Sequence, residues 1–117
     1  MKVIIVGGVA GGASCAARLR RLDEKVEILM VERGPYVSYA NCGLPYHIGG
    51  VIEKESSLLV GTEQMFRAMF AIDARTNCEA ISIDPKKKTV NLRRRAAHDA
   101  PPATPPTMMI FICEPPV

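Results

Sequence analysis

The sequence predicts an α/β fold on a parallel sheet, and three features of its N-terminal stretch predict it. Val3-Ile4-Ile5-Val6 is an unbroken β-branched run, too short for a helix and suited to a strand buried on both faces. It runs straight into Gly7-Gly8-Val9-Ala10-Gly11-Gly12, where glycine permits a sharp turn and lets backbone N–H groups approach a ligand without a Cβ in the way. Ala13 to Leu22 then has helical composition, and Val26 to Val31 is a second apolar strand ending on Glu32.

Ala13, Ala16, Ala17, Leu19 and Leu22 give the helix small or apolar faces, while Arg18, Arg20 and Arg21 gather where they complement its dipole. Strand, glycine turn, helix, strand and acid, in that order, form the βαβ unit that binds an adenine dinucleotide. The free N–H groups at the helix start face a pyrophosphate, and an acid about 20 residues past the last glycine accepts hydrogen bonds from a ribose. Glu32 stands 20 positions after Gly12. The glycine pattern is imperfect, because Gly7 and Gly12 fill the first and third places of G-x-G-x-x-G while Val9 takes the second. The order of elements therefore carries the assignment, against the competing reading of a glycine-rich turn in some other α/β protein. It does not separate FAD from NAD.

A length of 117 residues suits one small domain with its own core, and 48% apolar residues argue against general disorder. The net charge of +3 is mild, with basic runs at Lys86-Lys87-Lys88 and Arg93-Arg94-Arg95. No aromatic residues interleave with those runs, so they read as solvated turns or edges and no nucleic-acid partner is expected. No stretch is long enough to span a membrane. The apolar start is too short for a signal peptide and leads into a nucleotide-type turn, so a reducing cytoplasmic location is expected. Cys15, Cys42, Cys78 and Cys113 show no C-x-x-C spacing and only two histidines accompany them, so no metal site is expected.

After Arg33-Gly34-Pro35 closes the second strand, Tyr36 to Tyr46 mixes polar, aromatic and breaker residues without a period, as a loop built for contact does. Asn41 is expected to cap a short helix starting near Cys42, placing the sulfur at a positive dipole end and lowering its pKa below the free value of about 8.5. A buried, inert cysteine is the other reading. Spacing alone leaves the two level.

Gly7-Gly8-Val9-Ala10-Gly11-Gly12-Ala13, Glu32-Arg33-Gly34 and Ser38-Tyr39-Ala40-Asn41-Cys42-Gly43-Leu44-Pro45-Tyr46 together resemble the N-terminus of coenzyme A-disulfide reductases. These are FAD-dependent pyridine nucleotide-disulfide oxidoreductases, beside NADH oxidases and NADH peroxidases. The likeness covers about Met1 to Leu92. It implies a Rossmann-like FAD/NAD(P)-binding domain in which residues 7 to 12 and Glu32 hold the ADP half of FAD, Arg33 lies beside the adenosine, and backbone near Ala80 meets the adenine. Asn41 and Cys42 fall at the flavin, and Cys42 is the single redox cysteine. Positions Ser14, Arg18, Arg21, Ser38 and Asn41 line the channel for CoA disulfide. NAD(P)H is the implied co-substrate, and full-length relatives are homodimers. The peroxidases and related oxidases carry a histidine where this chain has Ala10, which cannot move a proton, so the disulfide branch is favoured.

The middle of the chain reads as scaffold. Thr62 caps a helix opened by Glu63, with Met65, Phe66, Met69 and Phe70 as its apolar face. Ile72 to Thr76 and Glu79 to Asp84 alternate like strands, and Asp84-Pro85-Lys86-Lys87 turns the chain so that Thr89 to Leu92 completes a hairpin, part of a small β-meander. Cys78 reads as structural and His47 as a packed or surface residue. Residues 1–92 thus form the N-terminal part of an FAD-binding domain, and residues 93–117 a Pro-rich tail unlike the family. Within that tail, Met108 to Cys113 can add an edge strand before Pro115-Pro116 stops it. The resemblance calls there for a Tyr-Asp strand and an Ala-Thr-Gly turn. Codons for Thr107 to Ile110 in a shifted frame can spell Tyr-Asp-Asp, so the tail is read as the frameshifted end of a longer gene. On that reading the polypeptide by itself holds FAD weakly or not at all and does not turn over.

Overall fold

The computed structural model describes residues 1–96 and the backbone of residues 109–113. A four-stranded sheet organises them. Strand β1 (Lys2–Val6) leads into helix α1 (Ala10–Leu22) and returns as β2 (Glu27–Val31). A short β3 (Ser38–Tyr39) follows, then a 3-10 turn over Asn41–Gly43 and helix α2 (Leu44–Ile48). Next come β4 (Leu59–Gly61), α3 (Glu63–Phe70), β5 (Asp73–Arg75), β6 (Cys78–Asp84), β7 (Thr89–Arg94) and β8 (Met109–Cys113). The sheet order is β5-β2-β1-β8. Strands β1, β2 and β5 are parallel, in register Val3 to Ile28 and Met30 to Ala74, while β8 lies antiparallel to β1.

The unbroken apolar runs of β1 and β2 have a direct cause in packing. Val3, Ile5, Ile28 and Met30 face one core with Ala16 of α1 and Phe66 of α3; Ile4, Leu29 and Val31 face the other with Cys78 and the half-buried Val90 and Leu92. Adjacent residues of a strand point to opposite faces. Helices cover one face and the β6–β7 hairpin the other, so neither β1 nor β2 has a solvent side on which polar residues would alternate.

Several expectations hold. Thr62 Oγ1 accepts the Met65 N–H at 3.1 Å and caps α3. Asp84 Oδ1 accepts the Lys86 and Lys87 N–H groups at 3.0 Å each, closing the turn between β6 and β7. The expected meander is, among the described residues, this two-stranded hairpin. His47 Nδ1 sits 2.7 Å from the Ile52 carbonyl oxygen, a packed histidine.

Others need correction. Helix α1 starts at Ala10, not Ala13, because the turn proper is only Gly7–Val9 and the later glycines already form the first helical turn. The stretch from Tyr36 to Tyr46 is not a loop throughout: Ser38–Tyr39 pairs antiparallel with β4, a strand too short to leave a period in the sequence. Met69 is 70% exposed, since Phe66 and Phe70, one turn apart with ring centroids at 6.1 Å, take the inward face of α3. Met109–Cys113 does form an edge strand, whereas the proline-rich stretch before it lies outside the described residues.

Candidate functional site

The carboxyl ends of the parallel strands β1 and β2 carry the glycine turn and Glu32. Gly7 follows β1 with φ of 94° and donates its N–H to the Val31 carbonyl at 2.8 Å, a left-handed conformation that favours glycine. Gly8 N–H is donated to Glu32 Oε2 at 2.9 Å, and Gly34 N–H to Glu32 Oε1 at 2.9 Å. The Glu32 carboxylate thus ties the glycine turn to the turn after β2. Val9 is the N-cap of α1, which has no side-chain cap and no acidic residue in its first turn. Ala10 and Gly11 are exposed there, and Gly12 is buried against the turn. An uncapped helix start without a carboxylate leaves its first N–H groups and positive dipole end open to an anion. The position of Gly12 permits that turn to close, because a Cβ on it would stand 1.8 Å from the Gly7 carbonyl oxygen.

The hairpin supplies the next wall. Glu32 N–H is donated to the Arg75 carbonyl at 2.8 Å, Asn77 N–H to the Gly34 carbonyl at 3.0 Å and Cys78 N–H to the Glu32 carbonyl at 2.9 Å. These bonds bring the start of β6, and with it half-buried Ala80, to the Glu32-Arg33-Gly34 turn. A hydrogen bond from Arg93 at 2.9 Å holds the Glu79 carboxyl below the usual carboxylate range, and the charges of Arg95, Arg93 and Arg33 act in the same direction. Glu32 thus joins the glycine turn, the turn after β2 and the start of β6 at the ends of parallel strands, where ligands of open α/β sheets bind.

The cysteine segment is joined to the glycine turn through Val37. This buried residue, unremarked in the sequence, sets its carbonyl oxygen 2.3 Å from where a Gly8 Cβ would be. The single signal for it is the second glycine of the turn, whose missing side chain makes room for a neighbour the sequence cannot name. Ser38, next along, is buried at 6% exposure, and β3 touches α1. Asn41 and Cys42 are exposed on the 3-10 turn. The expected cap is absent: the turn begins at Ala40 with no side-chain cap bond, so Asn41 is inside the turn rather than before it. A Cβ on Gly43 would fall 2.5 Å from Cδ2 of the buried Leu58, which would have to shift to make room. Cys78, by contrast, is buried at 8% exposure, and burial pushes its thiol pKa up.

Ser14, Arg18 and Arg21 are exposed on α1, at the spacing of one helical face. Neither arginine makes a hydrogen bond or ion pair among the described residues, and no described contact joins them to Asn41 or Cys42. Arg20 has a different role. Its Nε and Nη2 donate to the Phe70 and Ala71 carbonyls at 2.9 Å each, while Nη1 donates to the Glu24 carbonyl. It fastens the end of α1 to the end of α3, a contact across about 50 positions that no local pattern announces.

With this geometry in place, the comparisons with known proteins define the class. Residues 1–101 match the family model described as pyridine nucleotide-disulphide oxidoreductase, and the chain belongs to that family. It is 41% identical over 98 residues to the coenzyme A disulfide reductase of Staphylococcus haemolyticus, covering 84% of this chain and 22% of that one. The enzyme of the same name from Staphylococcus epidermidis is 45% identical over 91 residues, with 78% and 21% covered. Among solved structures, reduced CoADR-RHD of Bacillus anthracis superimposes with a TM-score of 0.77 at 45% identity, covering 94% of this chain and 18% of that one. A NAD-dependent persulfide reductase from A. fulgidus gives a TM-score of 0.77 at 40% identity, with 80% and 18% covered. The chain thus spans about a fifth of the length of the curated relatives it matches.

Proposed function

We propose that this chain is the nucleotide-gripping part of an FAD-dependent NAD(P)H oxidoreductase that reduces CoA disulfide, or a related disulfide, through Cys42. The observation that carries the reading is an exposed thiol on the segment packed, through Val37, against the second glycine of a dinucleotide-type turn. The residues present suit the cofactor: the open start of α1 would take its diphosphate, Glu32 would accept from a ribose hydroxyl, and Arg33 and the backbone near Ala80 would meet the adenosine. FAD, when bound, supplies electrons drawn from NAD(P)H. The chain supplies grip and a nucleophile.

In that chemistry the Cys42 thiolate attacks one sulfur of the disulfide. A Cys42–S–S–CoA bond forms, the original S–S bond breaks and one CoA thiolate leaves. Two electrons then cleave the mixed disulfide, releasing the second CoA thiolate and restoring the Cys42 thiolate. Arg18 and Arg21, on one face of α1 with Ser14, offer guanidinium groups to the phosphates of such a substrate, with Ser38 ahead of the cysteine turn and Asn41 within it. The second reading is an NADH oxidase or peroxidase, with Cys42 cycling through a sulfenic acid. Ala10, at the exposed start of α1, provides no proton carrier for that cycle. A merely nucleotide-binding module is the non-enzymatic alternative.

The test is an assay of the protein encoded by the complete reading frame, with NADH or NADPH and either CoA disulfide or hydrogen peroxide. CoA disulfide turnover that vanishes in Cys42→Ser supports the proposal. Peroxide turnover without disulfide turnover would install the second reading, and flavin binding without either would leave the module.

A further inference from the structure

We propose that Glu63 is a positioning residue that holds the Glu32 turn in place from outside the site, an inference resting on the nucleotide-site reading above. Among the described residues, strand β5 has β2 on one side only and so lies at the sheet's edge. The Arg75 carbonyl faces β2, where it accepts the Glu32 N–H at 2.8 Å. Because successive residues of a strand direct their backbone groups to opposite sides, the next N–H, that of Thr76, points away from the sheet and finds no strand partner. Glu63 supplies one. Its Oε1 accepts both the Thr76 N–H and the Thr76 Oγ1–H, the latter at 2.6 Å.

The consequence lies in the two residues that follow. Asn77, at φ of 49°, donates to the Gly34 carbonyl at 3.0 Å, and Cys78 donates to the Glu32 carbonyl at 2.9 Å. These bonds clasp the turn whose Glu32 carboxylate accepts the Gly8 and Gly34 N–H groups. A side chain in the first turn of α3 is therefore connected, through Thr76 and then Asn77 and Cys78, to the acid that meets the glycine turn. Those hydrogen bonds also cool the Glu63 carboxyl's affinity for protons, holding its pKa below the usual value. Glu63 touches neither the glycine turn nor Cys42 in any described contact, so it acts through Thr76.

The experiment is native-state amide hydrogen exchange on the 117-residue chain, comparing Glu63→Ala, Glu63→Gln and Thr62→Ala. The last removes the cap of the same helix without touching Thr76. Expected in Glu63→Ala is exchange about tenfold or more faster at Gly8, Gly34, Asn77 and Cys78, as loss of a charge-assisted bond implies. Thr62→Ala leaves those four amides protected, and Glu63→Gln recovers most of the protection. Equal acceleration by Thr62→Ala and Glu63→Ala, or unchanged Gly8 and Gly34 amides in Glu63→Ala, overturns the proposal. Thr76→Val, which loses only the hydroxyl donor, gives an intermediate effect and serves if Glu63→Ala does not fold. Flavin content of the protein encoded by the complete reading frame tests the reading beneath it: no flavin bound there, with the exchange pattern intact here, refutes the nucleotide site and leaves the brace standing.

Discussion

Replacing Gly12 with alanine should reverse the sign that helix propensity leads one to expect. Alanine favours a helix interior over glycine by about 1 kcal/mol, so at an open position Gly→Ala stabilises. At Gly12 the added Cβ would stand 1.8 Å from the Gly7 carbonyl oxygen and 2.9 Å from its carbon. Real Cβ contacts stay beyond 3.0 Å, so backbone must move by about 1.2 Å. Gly7 cannot yield easily: it sits at φ of 94° with its N–H on the Val31 carbonyl at 2.8 Å. Shifting α1 instead would draw Ala16, fully buried at 0% exposure, off the core. Overpacking of this kind costs about 1–3 kcal/mol and sometimes more. Against the helical gain of about 1 kcal/mol, we expect a net loss of up to about 2 kcal/mol, read as a fall in urea midpoint at unchanged slope. Gly34→Ala is the control, since its Cβ would meet only Glu32 Oε1, at an ordinary 3.5 Å, and should change stability by no more than about 0.5 kcal/mol. A Gly12→Ala protein as stable as wild type would refute the close approach of helix and turn.

Three further outcomes follow from single contacts. Arg20→Ala should lower stability by about 1–2 kcal/mol, because the Phe70, Ala71 and Glu24 carbonyls lose a charged donor; denaturant titration checks it, and Arg20→Lys should recover only part. The Glu63 carboxyl is depressed in the folded state, so its stabilisation is present above the unfolded carboxylate value of about 4.3 and is lost as pH falls through the folded value. Glu63→Gln should therefore lose less stability than wild type between neutral pH and about pH 3, measured by urea midpoints at both. Native alkylation followed by peptide mapping should label exposed Cys42 well before buried Cys78, whose thiol burial also pushes up; equal rates at the two would contradict the fold around them.

What the sequence disclosed and what it withheld divide along a physical line. Features fixed by neighbours in the chain were legible: the β1, turn, α1, β2 order, the Thr62 cap, the Asp84 turn and the acid at Glu32 each depend on residues within one local unit. Features fixed by distant packing were not. The seat of Val37 against Gly8, the reach of Arg20 to the end of α3 and the bond from Glu63 to Thr76 join elements whose approach is set by the sheet. Asn41 shows the same limit from the other side. Its residue type suits a helix cap, but the chain enters the 3-10 turn one residue earlier, at Ala40, where Gly43 packs against the buried Leu58. Local preference proposed the cap, and packing placed the turn.

Strand β8 presents the same competition at the sheet's edge. It runs antiparallel to β1 over Met109–Cys113, in register Lys2 to Cys113 through Val6 to Met109, and so pairs the strand that delivers the glycine turn. Val3 and Ile5 of β1 are buried at 1% and 0% exposure, and their burial rests on α1, β2 and α3 rather than on β8 alone. A chain ending at residue 96 should therefore still fold, with β1 as an uncovered edge. Loss of the pairing removes backbone hydrogen bonds worth about 0.5–1.5 kcal/mol each, and leaves an apolar strand with free N–H and C=O groups, the usual template for edge-to-edge association. Sedimentation should show concentration-dependent self-association of the shortened chain beyond that of the full chain, with a lower melting temperature. A shortened chain that stays monomeric and melts with the full one would mean that β8 contributes nothing to the sheet, and that β1 is held by its parallel neighbours and helices alone.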